Sequence, residues 1–276
     1  MSRLLIFGLG YTASRFAAHL RMAGWHVAAT RRGAGPDALA FDDQAAVRAE
    51  LAVATHILSS VPPADGHDPV LDHYGDALGQ ARWIGYLSST GVYGDTGGAW
   101  VDETAPIGTG RRNARAAADA AWQSLPDARI FRLPGIYGPG RSALDRVRSG
   151  HAHRIALPDQ VFSRVHVDDI VAGLVAGLAG PPGIYNLSDD RPASQNDVIE
   201  YACDLLGLPW PPLRTLDEAG LSPMARGFYA ENRRVANGKA KRLLGWHPAF
   251  PDYRAGLRAL NATTSPTSAS AAPAPD

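Results

Sequence analysis

A glycine-rich turn close to the start of the chain constrains its fold more than any other feature. The apolar run Leu4–Phe7 has the length and composition of a buried strand, and Gly8–Ala13 (GLGYTA) follows it directly. Gly8 permits a tight turn, Gly10 lets a ligand approach the backbone, and Ala13 lets a helix pack closely on the strand. We therefore predict a strand–turn–helix unit whose free helix N–H groups bind the paired phosphates of a dinucleotide. The alternative is a glycine-rich turn that binds no ligand.

The end of the second predicted strand bears on which dinucleotide is bound. This strand, His26–Thr30, is followed by Arg31 and Arg32, and no acidic residue occurs before Asp37. An NAD site carries a carboxylate here for the ribose hydroxyls, whereas guanidinium groups pair with the 2′-phosphate of NADP. The sequence therefore favours NADP(H) over NAD(H). The alternative is that both arginines are solvated loop charges.

Strand-like and helix-like segments alternate from residue 3 to about residue 134, which predicts an α/β fold with a Rossmann-type, doubly wound parallel sheet. After Pro134 this rhythm breaks, and we predict a smaller C-terminal α+β substrate lobe. The predicted boundaries are a dinucleotide-binding core at 1–137, to which part of 151–190 returns, a lobe mainly at 138–261, and a disordered Ala/Ser/Thr/Pro tail at 262–276. Other predicted elements are the strands Leu39–Phe41, His56–Leu58, Trp83–Leu87, Ile130–Leu133 and Val161–Val167, and a last helix at Gly238–Leu244.

Composition excludes several classes of partner. The 27 basic and 27 acidic residues balance, and no basic block occurs, which argues against nucleic acid or an anionic membrane. The single cysteine, Cys203, fits a reducing cytoplasm and leaves neither a disulfide framework nor a cysteine-cluster metal site. No apolar run approaches the roughly 20 residues of a membrane span, and the N-terminal strand is too short for a signal peptide. We expect a cytoplasmic monomer or homodimer that binds a small molecule and no metal.

Beyond the glycine-rich turn, five ordered segments resemble extended or atypical short-chain dehydrogenases/reductases of the NAD-dependent epimerase/dehydratase family. The resemblance covers about residues 3–258, and the motif order is close to that of the YeeZ-like atypical subgroup. The five segments are Phe41–Asp43, Leu87–Gly94, Arg132–Gly140, Arg164–Asp169 and Leu244–Pro248.

The resemblance implies where the cofactor would be held. Asp42 matches the acid that hydrogen-bonds the adenine, and Pro134–Ile136 match the segment that passes the nicotinamide. The predicted cofactor-binding residues are Gly8, Gly10, Tyr11, Thr12, Ala13, Arg31, Arg32, Asp42, Ser59, Ser60, Val61, Arg115, Pro134, Gly135 and Ile136.

The resemblance also implies hydride transfer, assisted by a Ser or Thr at the end of the fifth strand and by a Tyr and a Lys four residues apart. Ser89 matches the hydroxyl position, with Thr90 beside it, and Arg115 falls at the lysine position. Arg111 falls at the tyrosine position, but a guanidinium stays protonated and is no general base. We therefore predict Ser89, Thr90 and Arg115 as catalytic residues, with a non-standard proton-transfer group. The alternative for Ser89 is a strand-end serine that caps a turn.

Other polar and aromatic residues are candidates for proton transfer or substrate contact. Tyr93, Tyr137 and His166 lie in segments that should approach the cleft, although packed aromatic side chains are the alternative for the tyrosines. The Gly-rich segment 97–110 suggests a mobile lid, and the polar stretch 222–234 suggests contacts to an anionic substrate or a surface loop. The predicted substrate residues are Tyr93, Tyr137, Arg141, Arg164, Arg226, Tyr229 and Arg233.

Two functions remain open from the sequence. The first is an oxidoreductase or epimerase/dehydratase that acts on a small carbonyl or sugar-like compound. The second is a catalytically silent NADP(H)-binding sensor or interaction protein, which the absent tyrosine favours. Ser89 and the polar stretch favour the enzyme, because a sensor needs neither.

Overall fold

A computed structural model of the protein describes residues 2–108 and 113–264. The strands are β1 (Arg3–Phe7), β2 (His26–Arg31), β3 (Leu39–Ala40), β4 (His56–Ser59), β5 (Trp83–Ser89), β6 (Trp100–Val101), β7 (Ala128–Leu133), β8 (Gly135–Tyr137), β9 (Arg154–Ile155), β10 (Arg164–His166), β11 (Gly183–Asn186), β12 (Leu213–Arg214) and β13 (Arg234–Val235). The α-helices are α1 (Tyr11–Met22), α2 (Gln44–Leu51), α3 (Pro69–Tyr74), α4 (Asn113–Gln123), α5 (Ala143–Arg148), α6 (Val167–Ala179), α7 (Gln195–Leu206), α8 (Pro223–Phe228), α9 (Gly238–Leu244) and α10 (Tyr253–Thr264). Short 3-10 helices span Gly75–Gln80 and Thr90–Tyr93.

Seven of the described strands form one parallel sheet in the order β11-β7-β5-β4-β1-β2-β3. The chain builds outward from β1 through β2 to β3, and then returns to the other side of β1 with β4. Because the strands are parallel, the turns that follow β1 and β4 lie side by side at the carboxyl edge of the sheet, where its winding direction changes. Ligands bind in such a crevice in open α/β sheets.

Helices cover both faces of the sheet, so its strands are apolar on both sides. Alternate side chains point to opposite faces, and Leu4 and Ile6 pack in one core with α1 and α6, whereas Leu5 and Phe7 pack in another with α2, α3 and α4. The predicted Rossmann-type, doubly wound sheet is confirmed.

A third core lies in the C-terminal half of the chain. Leu144 of α5, Val198 of α7 and Leu257 of α10 belong to it. The same half of the chain also returns to the sheet, because β11 pairs with β7 as an edge strand and α6 packs beside α1. The small parallel pairs β8–β10 and β9–β12 lie within the C-terminal half, and the pair β6–β13 connects the two halves.

Several predicted element boundaries were wrong. The strand predicted over residues 161–167 is only Arg164–His166, because Val167 already begins α6. Helix α10 was not predicted, although Tyr253, Leu257 and Leu260 recur at helical spacing and are buried. This helix includes residues 262–264 of the predicted tail, and the rest of that tail lies outside the described residues.

The Gly-rich segment predicted as a mobile lid is anchored over its described part, 97–108. Its strand β6 pairs with β13, and the N–H groups of Thr96 and Gly98 donate to the carbonyl of Asn232 (3.1 and 2.9 Å). The buried Glu103 carboxylate accepts the N–H of Asn186 at the outer side of β11 (2.8 Å). These contacts are made to residues far away in the sequence, which local composition does not reveal.

Candidate functional site

The glycine turn (Gly8–Ala13) joins β1 to α1 at the carboxyl edge of the sheet. Gly8 has a φ of +83°, and a Cβ there would lie 3.0 Å from Val61 Cγ2 and 3.1 Å from Ser60 Oγ. The backbone N–H of Gly8 donates to Thr30 Oγ1 (3.3 Å), so segments after β1, β2 and β4 meet here. In contrast, a Cβ at Gly10 would meet nothing within 4 Å. The turn is therefore closed against the protein at Gly8 and open at Gly10.

The first turn of α1 offers unpaired backbone donors at this open side. Gly10 is the N-cap residue, and no side chain among the described residues caps the helix. Ala13 and Thr12 are buried and hold the helix on the sheet, while the N–H groups of the first turn carry the positive end of the helix dipole. Ser59 Oγ, at the end of neighbouring β4, is buried and has no hydrogen-bond partner among the described residues. An open approach and uncapped donors fit a pair of phosphate groups.

The arginine pair lies at the next strand end along the same edge. Arg31 and Arg32 are exposed, and within the described residues neither side chain has a hydrogen-bond or ion-pair partner. The Phe41 N–H donates to the Arg31 carbonyl (2.7 Å), which holds the following residue, the exposed Asp42, close to the arginines. Asp43 instead caps α2 with its carboxylate. The guanidinium groups and Asp42 are thus accessible to a ligand.

Ser89 and Pro134–Ile136 lie on adjacent strands at the other side of the edge. Ser89 pairs in register with Leu133, the last residue of β7, so Pro134 begins one residue beyond it. Ser89 is half-buried and its Oγ accepts the N–H of Gly91 (3.1 Å), which leaves the hydroxyl hydrogen available to donate. Thr90 is buried in the following 3-10 helix and is less accessible than Ser89. Of the two predicted hydroxyls, Ser89 is the better placed.

A buried polar network (Ser88, Tyr93, Asp119, Arg132 and Asn186) lies beneath Ser89. Arg132 donates to both carboxylate oxygens of Asp119 (2.7 and 3.1 Å), and Ser88 Oγ donates to the same carboxylate (2.5 Å). Arg132 also donates to the Tyr93 hydroxyl (3.0 Å), which donates to Asn186 Oδ1 (2.8 Å). The network joins β5, α4, β7 and β11, and fixes the strand end that carries Ser89.

The structure does not bring the three alternative proton-transfer candidates to an open surface. Tyr93 is held in the buried polar network, and burial raises the pKa of its hydroxyl. The Tyr137 hydroxyl packs against Gly256, and burial strongly raises the pKa of this phenol too. His166 is buried, its Nδ1 accepts the Asp168 N–H (3.3 Å), and burial lowers the pKa of the imidazole. Of the three, the sequence placed only His166 in a strand, whereas Tyr93 lies in a 3-10 helix, and neighbours from later segments cover all three side chains.

Two arginines predicted to bind substrate are engaged inside the protein. Arg164 is buried and donates to the carbonyls of Phe162 and Ala193 (2.9 Å each). Arg233 donates to the carbonyl of Gly94 (2.6 Å) and to Glu231 (2.9 Å). These guanidinium groups hydrogen-bond to loop carbonyls within the protein, and their contacts to a substrate stay a prediction.

The other predicted contacts of the polar stretch also have partners of their own. Arg226 forms an exposed ion pair with Asp217 and donates to a neighbouring carbonyl. Tyr229 packs edge-on against Phe162 (5.7 Å between centroids), and its hydroxyl lies 3.4 Å from His153 Nε2. Within the predicted set, Arg141 differs, because it is exposed and its guanidinium carbon lies 5.7 Å from the ring centroid of Tyr11.

Arg115 is half-buried in the first turn of α4, beside the strand end that carries Ser89. Its guanidinium counteracts the effect of burial on Tyr86, although burial dominates and the pKa of Tyr86 is raised. Arg111, at the family's tyrosine position, lies outside the described residues. Arg115 is thus near the carboxyl edge, as the sequence predicts.

A cleft of about 460 Å³ in the C-terminal lobe contains residues that the sequence did not single out. Trp100, which is 58% exposed, lines it together with Arg191, Arg254 and Tyr253. These residues come from segments separated by up to about 150 positions, so no local motif marks the cleft. It opens beside the β6–β13 pair, whose neighbouring Arg233 contacts Gly94 in the turn after Ser89.

Searches for two other kinds of feature were negative in the part of the chain that the structure describes. Within residues 2–108 and 113–264, no helix combines the length and the apolar character needed to cross a bilayer. Over the same residues, no three His, Cys, Asp or Glu side chains cluster as ligands for a metal ion.

Comparisons with solved structures place this geometry among known folds, while no family model matches the chain. A functionally unknown conserved protein from Silicibacter pomeroyi DSS is 45% identical, with 95% of this chain and 99% of that chain covered and a TM-score of 0.85. The NAD-dependent epimerase/dehydratase structure from Methylobacillus flagellatus is 24% identical over 95% and 98% of the two chains, with a TM-score of 0.75. The human epimerase family protein SDR39U1, solved with NADPH, is 16% identical over 94% and 99%, with a TM-score of 0.73.

A curated relative adds a similarity over part of the sequence. The 3-diazoavenalumate denitrifying reductase of a Streptomyces species is 34% identical in an alignment 143 residues long, and the alignment covers 46% of this chain and 45% of the relative. The match thus spans less than half of the reductase. Taken with the solved structures, the chain belongs to one family with the Silicibacter pomeroyi protein and has the fold of the extended and atypical short-chain dehydrogenases/reductases of the NAD-dependent epimerase/dehydratase type, as its sequence motifs predict.

Proposed function

We propose that the protein binds NADP(H) at the glycine turn and transfers hydride between the nicotinamide and a small substrate. The observation that carries this proposal is the turn itself, which is closed at Gly8, open at Gly10 and continued by an uncapped helix at the winding change of the sheet. The fold, which is shared with an epimerase/dehydratase and with an NADPH-bound protein, supports a nicotinamide cofactor.

The preference for NADP(H) rests on the arginine pair. Arg31 ends β2 and Arg32 follows it, both with exposed guanidinium groups, and both would face a 2′-phosphate on the adenosine ribose. Asp42, one strand further, would accept a hydrogen bond from the adenine. The test is a comparison of dissociation constants: replacing both arginines by alanine should weaken NADPH at least tenfold more than NADH, an effect of about 1.4 kcal/mol.

The roles of the protein groups follow from their positions. The nicotinamide, when bound, supplies or accepts the hydride. Ser89 would donate its hydroxyl hydrogen to a substrate oxygen or nitrogen, because the Gly91 N–H already occupies one lone pair of Oγ. Arg115 would bind ribose hydroxyls and add positive charge near the reacting centre.

The substrate class follows from the shortage of accessible bases. Tyr93, Tyr137 and His166 are buried, so alcohol oxidation with a side-chain base has weak support. Reduction of an electrophilic small molecule needs no such base. Hydride adds to a carbonyl carbon, and the resulting alkoxide takes its proton from solvent. Hydride that replaces the diazo group at a diazonium carbon forms a C–H bond and releases N2. The curated relative is named as a reductase of a diazo compound, which is an electrophile of this kind. We therefore propose reduction of a small carbonyl, sugar-like or diazo-type compound.

A catalytically silent NADP(H) sensor is the second candidate, and the same buried side chains favour it. Calorimetry with NADPH and NADH, followed by single-turnover oxidation of NADPH with panels of aldehydes, nucleotide sugars and aryl diazonium salts, separates the two functions. Micromolar binding with turnover supports the reductase, and binding without turnover supports the sensor. No binding at millimolar dinucleotide contradicts both.

A further inference from the structure

We propose that Arg141, in the C-terminal lobe, binds the pyrophosphate of the dinucleotide from the side opposite the glycine turn. The sequence suggested a substrate contact for this residue. The inference rests on the proposed function, and it assigns to a second, distant segment of the chain a role in holding the cofactor.

Arg141 is held in place by rigid backbone on both sides. Gly138 and Arg141 exchange two backbone hydrogen bonds (3.2 and 3.0 Å), with Pro139 and Gly140 at the tip of the turn. Gly140 has a φ of +71°, so the segment is a type II turn with the residue types that this turn favours. Ser142, the next residue, caps α5 in a reciprocal capping box. The side chain of Arg141 therefore starts from a fixed position.

The type II turn is tied directly to the helix that carries the glycine turn. Tyr11 is the first residue of α1, and its hydroxyl donates to the Pro139 carbonyl (3.0 Å). This bond spans 128 positions in the sequence and brings Arg141 beside the Tyr11 ring, with 5.7 Å between the guanidinium carbon and the ring centroid. The guanidinium thus lies beside the first turn of α1, where backbone N–H groups are uncapped.

The local charge balance favours an anion at this point. Arg15 also lies over the Tyr11 ring (5.2 Å), but it forms an ion pair with Asp168 (3.4 Å), so its charge is partly neutralised. Arg141 is exposed, and its guanidinium has no ion-pair or hydrogen-bond partner in residues 2–108 and 113–264. A cation fixed beside a helix N-terminus adds to the same positive potential, and a pyrophosphate presents oxygens that a guanidinium binds in forked geometry.

The experiment measures binding of three ligands to the full-length protein by calorimetry: NADPH, ADP-ribose and adenosine 2′-monophosphate. ADP-ribose carries the pyrophosphate without the 2′-phosphate, whereas adenosine 2′-monophosphate carries the 2′-phosphate without the pyrophosphate. In Arg141→Met we expect NADPH and ADP-ribose to bind at least about tenfold more weakly, whereas adenosine 2′-monophosphate changes less than about twofold. Arg141→Lys, which keeps the charge without the fork, should recover part of the loss. Arg214→Met, at an exposed position of β12, is the matched control and should leave all three unchanged.

The outcomes distinguish this inference from the proposed function. If the wild-type protein binds no dinucleotide, both fail. If the wild type binds ADP-ribose and Arg141→Met binds it equally well, only the role of Arg141 is overturned. A substrate KM that rises in Arg141→Met while every dinucleotide affinity is unchanged would return Arg141 to the substrate site and also overturn the inference.

Discussion

Arg132 and Asp119 form a fully buried, two-bond ion pair between β7 and α4, with side chains that are 2% and 0% exposed. The pair makes further hydrogen bonds with Ser88, Tyr93 and Gln123. A charge buried this deeply is tolerated because its partner and all of these hydrogen bonds are present. The pair therefore joins the strand beside Ser89 to the helix that carries Arg115.

Removing one partner should be more harmful than removing both. Arg132→Met leaves the Asp119 carboxylate buried without its cation, and we expect a loss of about 3–5 kcal/mol in the free energy of unfolding. The double variant Arg132→Met with Asp119→Leu should be less destabilised than Arg132→Met alone. Urea unfolding of the three proteins measures this. A double variant that is less stable than either single variant would show that the pair itself, rather than an uncompensated charge, carries the stability.

The two glycines of the turn predict opposite consequences of the same small substitution. Gly8→Ala places a Cβ against Val61 and Ser60 at a positive φ, so the free energy of unfolding should fall by about 1–3 kcal/mol. Gly10→Ala enters open space, so stability should change by less than about 1 kcal/mol. Its methyl group would still occupy the approach of the phosphates, and NADPH binding should weaken at least about tenfold.

Thermal unfolding and calorimetry on both glycine variants check this prediction. Undiminished NADPH binding to a folded Gly10→Ala protein would show that the phosphates do not approach the turn at Gly10. Gly8→Ala serves as the internal control, because its loss of binding should follow its loss of folded protein.

Ser89→Ala should separate turnover from binding. We expect kcat with an accepted substrate to fall by roughly a hundredfold, while the Kd for NADPH changes by less than about twofold, because Ser89 would contact the substrate rather than the phosphates. The substitution also removes the acceptor for the Gly91 N–H, which costs about 1 kcal/mol of stability. Ser89→Thr keeps both the hydroxyl and the cap, and should keep most of the activity. Equal kcat in wild type and Ser89→Ala would leave Ser89 with only the capping role.

Asp169 predicts a pH dependence of stability. Its carboxylate accepts the N–H groups of Ala249 and Phe250 (2.7 and 3.1 Å), but burial dominates and raises its pKa to about 6. Because the folded-state pKa lies above the unfolded value of about 3.9, the folded protein binds the proton more tightly. The stabilisation is fully present below about pH 4 and is lost as pH rises through about 6, by at most about 3 kcal/mol.

Urea unfolding of wild type and Asp169→Asn between pH 4 and pH 7 measures this contribution. Asp169→Asn lacks the titrating group, so its free energy of unfolding should lose this part of the pH dependence. Asp37→Asn, at an exposed loop position, should keep the pH dependence of the wild type. If the free energy of unfolding depends on pH in the same way in wild type and in Asp169→Asn, the prediction is wrong.

The features that were predictable from the sequence are those whose physical basis is local. The glycine turn and the first strands follow from residues close together in the chain, so periodicity and turn chemistry were sufficient. The Ser89 position came from the resemblance of Leu87–Gly94 to the family segment. Asp169 shows what could not be predicted from local sequence. The sequence marked the segments around residues 164–169 and 244–248 as separate motifs, and the structure joins them, since Trp246 Nε1 donates to the Asp169 carbonyl (2.9 Å).

The partners of the predicted site side chains could not be read from the sequence where distant segments supply them. Arg164 and Arg233 read as free cations in the sequence, but carbonyls from other segments use their donors. His166 lies in a strand, as predicted, yet Phe250 covers its ring, with 4.2 Å between the ring centroids. Arg141 was predicted as a substrate contact, whereas its position beside Tyr11 depends on a contact across 128 positions. Burial and partner choice of this kind are properties of the assembled fold.

The position of Glu103 at the outer side of β11 has a consequence for association. An edge strand offers unpaired backbone groups on which strands of other molecules can add. Glu103 occupies the outward N–H of Asn186 with a buried carboxylate, so an added strand would first have to displace a hydrogen-bonded acid. This side chain therefore protects the open end of the sheet against aggregation.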